Sequence, residues 1–393
     1  MGAVTLNSFN GQIFLTTVIF SLFLSGCSES SVAEERFQSE VLKACVRYHM
    51  ENNNGIELKT ISELDCGTKF HAWYQKKTRN LDSRISSLAG IEQLIGLKTL
   101  NLPKHQISDL TPLSALTSLQ TLNLNFNHVT SLSPLANLTA LETLKIDVAE
   151  HSMEAFMATR QGEPSAVAQI SDISPLLNLT KLTHLNLSGH NISDLSVLTG
   201  KDRLKELILT KNPIAQLDAI AQLRSLVELN IANAQISEIP EHQWHNLESL
   251  ILYKNKLSDV TRLQSLVQLK VLSLSENNLV DIAALGKLKG LQKLFLDNNQ
   301  IESVASLNDL TQLESLSLEN NKLTKLIALS KLTKLSGLDL SGNRITDVSE
   351  LDVTDLDEFL RINLLRNPID CQTFSQLSEL TKRKVLLDER QCD

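Results

Sequence analysis

The sequence predicts an α/β repeat solenoid, a curved array in which one short parallel strand recurs in every turn. Three observations lead to this prediction. A leucine frame recurs about every 22 residues, an asparagine follows it at a fixed distance in most turns, and apolar residues make up 42% of the 393 residues while aromatic residues make up only 4%. An overwhelmingly aliphatic core is expected when one leucine-shaped layer is stacked many times.

The repeat frame reads L-x-x-L-x-L-x-x-N-x-I and is first complete at Leu97. The L-x-L stretch alternates between the two faces of a strand, so Leu272 and Leu274 are expected to point into the core and Ser273 toward solvent. Most steps between units are 22 residues, one is 21 and the last is 24. The twelve units begin at Leu97, Leu119, Leu141, Leu182, Leu204, Leu226, Leu247, Leu269, Leu291, Leu313, Leu335 and Phe359.

The ninth position of each unit turns the chain away from the strand. An asparagine side chain there can bond backbone groups that the turn leaves unpaired. Because four units lack this asparagine, we expect the ladder of asparagines to be weakest in the N-terminal half. The asparagines are Asn127, Asn212, Asn255, Asn277, Asn299, Asn321, Asn343 and Asn367, and the substitutes are His105, Ala149, His190 and Ala234.

The segment after each turn carries leucines that return to the core, with prolines at Pro112, Pro134 and Pro175. Proline there favours short turns or 3₁₀ pieces over full helices on the convex side. With its 22-residue period, the array at residues 81–370 resembles the bacterial internalin-like leucine-rich repeats. The resemblance implies a leucine-rich-repeat horseshoe with a parallel concave sheet.

The open ends of a solenoid expose a leucine layer and need caps. Within a tether and N-terminal cap at 27–80, residues 34–50 are expected to form an amphipathic helix that seals the first repeat. At the other end, Asn367–Cys371 resembles the start of the cysteine-containing C-terminal caps of extracellular repeat proteins, which implies a cap at 371–393. The residues that predict the helix are Phe37, Val41, Ala44, Cys45 and Tyr48.

The first 26 residues contain no charged side chain, and a twelve-residue apolar run lies at 13–24. Such a run is too short to span a bilayer comfortably and is typical of the core of a signal peptide, here at 1–26. The segment Leu24–Cys27 resembles the lipobox of bacterial lipoproteins, which implies a lipid on Cys27 that anchors the chain to a membrane. Ser28 implies sorting to the outer membrane, facing either the periplasm or the cell surface.

Four further cysteines form two local pairs, each separated by 21 residues. In an exported protein this grouping indicates two disulfides, Cys45 with Cys66 and Cys371 with Cys392. Free buried thiols are the alternative. No histidine or further cysteine stands at zinc-ligand spacing near either pair.

The chain carries 45 acidic and 37 basic residues, with no basic block that would track a phosphate backbone, so we expect no nucleic-acid partner. No histidines form a recognised metal-ligand set, and His242 and His245, which flank Trp244, are expected on a convex turn. No nucleophile elbow, phosphate-binding glycine loop or metalloprotease helix occurs in the sequence. We therefore expect neither a metal, nor a cofactor, nor catalysis.

The fifth position of each unit faces solvent on the concave sheet, and Ile208, Ile251 and Phe295 are large and apolar there. Tyr253 lies on the same face, and with strands about 4.8 Å apart the stretch would span roughly 19 Å. An apolar centre with a charged rim is typical of a protein-binding hot spot, whereas single exposed apolar residues are normal on any surface. Both interpretations stay open. The charged neighbours are Lys211, Lys254, Lys293 and Asp297.

The step from Leu141 to Leu182 is 41 residues long, so an insertion lies near 149–169, just past a strand. Its apolar residues have the spacing of a short amphipathic helix. The insertion either covers the third unit, whose asparagine is missing, or forms a binding loop at the lip of the concave face.

These features favour a monomeric scaffold that is tethered to the bacterial envelope and binds a protein or peptide on its concave sheet. The alternative is a structural envelope protein that self-associates or contacts neighbouring envelope components. Monomeric behaviour in solution favours the first function, and concentration-dependent assembly favours the second.

Overall fold

The computed structural model describes residues 36–53, 55–148, 169–326, 331–349, 351, 359–375 and 384–387. Within the chain, Phe37–Asp393 form one compact unit. Three sequence predictions lie outside the described residues: the lipid on Cys27, the insertion near 149–169, described only at its last residue, and the disulfide between Cys371 and Cys392.

The N-terminal cap begins with helix α1, Glu40–Asn52. The hydroxyl of Ser39 starts this helix by accepting a hydrogen bond from the amide of Leu42 at 3.2 Å. The predicted helix is therefore confirmed, with its described start at Glu40. Its buried stripe is rotated from the expected one, because Val41 and Ala44 are only half-buried while Leu42 is fully covered. The buried residues of α1 are Leu42, Cys45 and Val46.

Strand β1, Glu63–Asp65, and helix α2, Thr68–Thr78, complete the cap. Neither follows from the repeat frame, because this segment carries no copy of it. The expected disulfide between Cys45 and Cys66 is present, with a Cα–Cα distance of 5.8 Å, and it ties α1 to the end of β1. Since β1 pairs in parallel with the first repeat strand, the cap also extends the sheet.

Strands β2 to β13 are the twelve repeat strands, and they confirm the predicted parallel solenoid. Each pairs in parallel with the strand before it, so the sheet runs from β1 to β14 in chain order. Helix α3, Cys371–Ser375, and strand β14, Val385–Leu386, follow the array. The bounds of β2 to β13 are Thr99–Asn101, Thr121–Asn123, Thr143–Lys145, His184–Asn186, Glu206–Ile208, Glu228–Asn230, Ser249–Ile251, Val271–Ser273, Lys293–Phe295, Ser315–Ser317, Gly337–Asp339 and Arg361–Asn363.

The two leucines of each L-x-L stretch build the core. Leu272 and Leu274 are fully buried, as predicted, and Leu272 is in register with the leucines of the strands on either side. Ser273 is more covered than expected, at 9% exposed. Its small side chain stands in register between Ile251 and Phe295, two larger residues on the same face.

The asparagine ladder forms as predicted, and Asn277 shows its geometry. The Nδ2 group of Asn277 donates to the carbonyls of Leu252 and Leu274, both at 3.0 Å. Its Oδ1 atom accepts from the amide of Leu257 at 3.0 Å. With a further contact from Nδ2 to the carbonyl of Ser275 at 3.2 Å, one buried side chain bonds four backbone groups in two successive units.

At the two histidine positions the ladder is kept only in part, with one carbonyl partner where an asparagine has more, and the expected weakness in its N-terminal half stays a prediction. The amide of Ile85 donates to Nδ1 of His105 at 3.0 Å, so the ring proton is on Nε2, which lies 3.2 Å from the carbonyl of Cys66. Burial, reinforced by neighbouring His71, lowers the pKa of His105 to about 4 and so favours the neutral ring. His190, in the first unit after the insertion, makes the equivalent contacts.

The ladder is interrupted at Ala234. An asparagine at this position would accept a hydrogen bond from the amide of Ile214. With alanine there, that amide donates to the carbonyl of Asn212 at 2.8 Å. The other alanine substitute, Ala149, lies outside the described residues.

The convex side consists of 3₁₀ pieces, as the prolines predicted. Pro112, Pro134 and Pro175 each occupy the first or second position of such a piece. The pieces lie at Ile91–Gln93, Thr111–Leu113, Ser133–Leu135, Ser174–Leu176, Ser196–Leu198, Asp218–Ile220, Thr261–Ser265, Ala283–Lys287 and Ala305–Leu307, with a further one at Leu58–Thr60 in the cap.

At two core positions on the convex side, leucine is replaced by a residue whose side chain donates a hydrogen bond. Lys201 is only 3% exposed, and its Nζ donates to the carbonyl of Leu176 at 2.8 Å. Trp244 is fully buried and donates through Nε1 to the equivalent carbonyl of Ile220 at 2.9 Å. Both side chains thereby fill a leucine site while bonding the previous repeat.

His242 corrects a sequence prediction. Its ring stacks on Trp244 with centroids 4.7 Å apart, and the side chain is buried instead of decorating the convex surface. The planar indole beside it offers an apolar face that covers the imidazole. His245 is exposed, as expected.

Candidate functional site

The sheet brings the predicted apolar residues into one row. Ile208, Asn230, Ile251, Ser273 and Phe295 are register partners on the five consecutive strands β6 to β10. The three apolar side chains stand on alternate strands and are half-buried. With strands about 4.8 Å apart, the row spans roughly 19 Å.

Tyr253 widens this row at the carboxyl end of β8. Its carbonyl accepts from the amide of Asn233 at 2.9 Å, so the backbone pairing continues past the last residue of the strand. The ring is half-buried and lies on the same face as Ile251, two residues earlier. We call Ile208, Ile251, Tyr253 and Phe295 the concave strip.

The lysines predicted beside the concave strip stand at its two edges. Lys293 is the first residue of β10 and is exposed. Lys211 and Lys254 follow the ends of β6 and β8 at turn positions with a left-handed backbone, φ +57° and +56°. Cations therefore lie at the amino end of β10 and just past the carboxyl ends of β6 and β8.

Asp297 is built into the sheet more than expected. Its carboxylate accepts from the hydroxyl of Ser275 at 3.0 Å, from the amide of Glu319 at 3.0 Å and from the hydroxyl of Ser317. Sequence alone places Asp297 next to the strip but does not show that its acceptors are occupied within the chain. We therefore leave it out of the candidate contact residues.

On both sides of the concave strip, the same columns are polar and bonded internally. Toward the N-terminus, Asn123 donates to Asn101 at 2.7 Å, and Asn101 donates to Asp65 at 2.8 Å. Toward the C-terminus, Asn363 donates to Asp339 at 3.0 Å. These ladders use their side-chain hydrogen bonds along the solenoid, whereas the strip between them presents apolar surface.

An acidic pair borders the concave strip and was not singled out from the sequence. Glu206 and Glu228 are register partners at the amino ends of β6 and β7. Lys145 lies 3.8 Å from Glu206. Burial, and then the neighbouring Glu206, raises the pKa of Glu228. Both residues occupy the third position of the repeat frame, which faces the same side of the sheet as the fifth. The sequence could therefore have predicted this pair.

The described ranges also bear on metal binding and membrane insertion. No group of three or more histidine, cysteine or acidic residues there is placed to hold a metal ion. Among those same ranges, no helix is long and apolar enough to cross a membrane.

Comparison with known proteins agrees with the fold. The family model for leucine-rich repeats (2 copies) matches residues 117–150, 267–310, 289–333 and 311–353. An internalin from Listeria monocytogenes is 28% identical, with a TM-score of 0.73 over 90% of this chain and 96% of that one. A leucine-rich-repeat protein from Leptospira interrogans is 24% identical, with a TM-score of 0.61 over 78% and 82% of the two chains.

Two further similarities are more distant. The ectodomain of the Arabidopsis thaliana receptor kinase GASSHO1/SCHENGEN3, in complex with Casparian strip integrity factor 2, is 20% identical and has a TM-score of 0.53, covering 76% of this chain and 42% of that one. An adenylate cyclase from Podospora anserina is 38% identical over 88 residues, which are 22% of this chain and 4% of that relative.

Proposed function

We propose that this chain, a leucine-rich-repeat protein with internalin-like repeats, is a non-catalytic scaffold that binds a protein or peptide on its concave face. The observation that carries the proposal is the concave strip. Its four large apolar side chains lie between two ladders of polar side chains that hydrogen-bond to each other along the sheet. Leucine-rich-repeat folds commonly mediate protein–protein binding, which agrees with this assignment.

The chemistry of the concave strip fits a protein partner. Isoleucine, tyrosine and phenylalanine offer a large contact area, and aromatic anchors with a polar rim are typical of interface hot spots. Lys254 and Lys293 at the edges would orient the partner and exclude mismatched charges. The plant ectodomain solved with its bound factor is consistent with a horseshoe that holds a ligand.

We also propose that a lipid on Cys27 holds the scaffold at a bacterial envelope, with the outer membrane as its site. Support for the lipid comes from the apolar run at 13–24 and the lipobox-like Leu24–Cys27 segment, and Ser28 after the cysteine is the basis for the outer membrane. The similarity to a Listeria internalin agrees with a secreted or surface protein and bears on neither point. Changing Cys27 to Ser should abolish acyl labelling and release the chain into the soluble fraction. Unchanged membrane retention and labelling would contradict the anchor.

An enzymatic role has little support by comparison. The adenylate cyclase similarity covers 4% of that protein, which is too little to transfer an activity. Fold alone does not carry function in any case, and the concave strip presents apolar side chains where an active site would need positioned acids, bases or nucleophiles.

The proposed binding face is tested by capture of a partner from envelope extract. The double variant Tyr253→Ala with Phe295→Ala should weaken capture at least about 30-fold, since each hot-spot truncation costs about 2 kcal/mol or more. A matched control truncates two apolar residues elsewhere, Leu177→Ala with Val267→Ala, which follow convex 3₁₀ pieces and are 63% and 55% exposed. Equal capture by both variants would remove the concave strip as the site.

The same preparations separate recognition from a structural role. A scaffold that recognises another protein should sediment as a monomer at all concentrations. Concentration-dependent assembly that the double variant abolishes would instead show that the concave strip serves self-association.

A further inference from the structure

Helix α2 of the N-terminal cap presents one outward face that is both basic and aromatic. Trp73 lies four residues after Lys69, and Lys76 and Lys77 lie three and four residues after Trp73, so the four side chains are neighbours on the helix surface. Phe70, three residues before Trp73, is fully buried, and its ring lies 6.1 Å from that of Trp73, so Trp73 stands between the core and the exposed lysines. The outward face therefore belongs to the surface of the cap.

The charge of this face stands out in an acidic protein. The whole chain has a formal charge of −8, yet α2 contains three lysines and no acidic residue, and Arg79 follows it directly. Lys69, Lys76, Lys77 and Arg79 are all exposed. Between described residues, no salt bridge involves Lys69, Lys76 or Arg79.

The stability of the helix explains only part of this pattern. Cations in the last turn interact favourably with the negative end of the helix dipole, which accounts for Lys76 and Lys77. Lys69 lies in the first turn, where the dipole disfavours a positive charge. Its position calls for another reason, and an anionic surface facing α2 supplies one.

Aromatic side chains support the cations. The ring of Trp73 lies 4.9 Å from that of Tyr48 on α1, and the ammonium of Lys77 stands 4.7 Å over the Trp73 ring. Both aromatic residues are half-buried, so each keeps part of its ring at the surface. Tryptophan and tyrosine flanked by lysine is the combination that membrane–water interfaces favour.

We propose that the outward face of α2, with Tyr48 beside it, docks on an anionic phospholipid surface and fixes how the solenoid stands on the membrane. The placement rests on the proposed lipid anchor. Eight residues separate Cys27 from Arg36, a reach of at most about 30 Å when fully extended, so an anchored chain keeps its cap near the bilayer. An acidic protein would satisfy the lysines but would not account for this proximity.

Brominated phospholipids test the contact directly. The chain contains two tryptophans, Trp73 and Trp244, and Trp244 is fully buried in the array, so it contributes a constant background. Full-length Cys27→Ser protein should show quenching of Trp73 by vesicles of brominated phosphatidylglycerol, and much less by brominated phosphatidylcholine. Comparing the two lipids removes the contribution of the apolar run at 13–24, which would insert into both.

The charge requirement is tested in the same background. The triple variant Lys69→Gln, Lys76→Gln, Arg79→Gln should lower the preference for anionic over zwitterionic vesicles about 100-fold, because each cation near an anionic surface adds about a fivefold factor. The control triple Lys181→Gln, Lys205→Gln, Lys325→Gln changes the net charge equally at exposed lysines of the array and should bind nearly as well as the parent.

Three results would overturn the proposal: no preference of the parent for anionic vesicles, equal loss in both triple variants, or anionic quenching that survives Trp73→Phe. Since the assay uses unacylated protein, it does not depend on lipidation. Partner capture through the concave strip should be unchanged in the Lys69 triple variant. A failure of membrane docking is thereby distinguishable from a failure of the anchor or of the binding face.

Discussion

Two columns of side chains recur once per repeat, and they obey different rules. The ninth position bonds backbone groups in the buried interior, and at every described unit except Ala234 it holds an asparagine, or a histidine that bonds one amide and one carbonyl. The fifth position on the concave sheet changes freely between amide, hydroxyl, charged, aliphatic and aromatic residues. The buried backbone groups restrict which residue types the ninth position can hold. The fifth position faces solvent, so its residue type can vary and can be selected for binding.

We expect the largest loss of stability from a change in the leucine core, on which both columns are built. Leu274→Ala should lower the free energy of unfolding by about 2–5 kcal/mol, because the leucines of adjacent repeats cannot close the cavity. Chemical denaturation measures this value. A loss below about 0.5 kcal/mol, the size of an ordinary surface change, would mean that Leu274 does not face the core.

The interior column should be less costly but clearly measurable. Asn277→Ala leaves three carbonyls and one amide without their side-chain partner, and unpaired buried polar groups cost about 1–3 kcal/mol. A matched change in the concave column, Asn230→Ala, should cost less, since its position is open to water. Equal losses for the two variants would erase the distinction between the columns.

The histidine substitute adds a pH dependence to the interior column. The pKa of His105 falls from about 6.5 to about 4 through burial, so folding favours the neutral ring. The associated stability is present above pH 6.5 and is lost as the pH falls toward 4. We expect wild type to lose about 1–2 kcal/mol more than His105→Asn between pH 7 and pH 5, since asparagine does not titrate there. Parallel stability curves for the two proteins would show that His105 is not buried in its neutral form.

The repeats could be predicted from sequence because a side chain's position in the frame fixes its depth and its neighbours. Ile208, Ile251 and Phe295 share a frame position, so the period alone placed them in one row. The cap strand and helix α2 could not be predicted in this way, since they carry no frame. The bonds of Asp297 arise only when strands stack, across about 20 residues of sequence.

The histidines show a different limit. His105 and His190 break the asparagine pattern in sequence but keep part of its hydrogen bonding, because a neutral imidazole has one acceptor for the amide and one donor for a carbonyl. Lys201 and Trp244 likewise break the leucine pattern while filling its space. Sequence reports the residue type, whereas the structure reports which of its groups are used.

The most direct test measures stability and binding together on one variant from each column. The interior variant Asn277→Ala should lower the free energy of unfolding by about 1–3 kcal/mol while its folded fraction still captures the partner. The concave variant Tyr253→Ala with Phe295→Ala should change the free energy of unfolding by less than about 0.5 kcal/mol per site while capture falls at least about 30-fold. If the concave variant instead loses stability as the interior variant does, or keeps full capture, the division into a folding column and a binding column is contradicted.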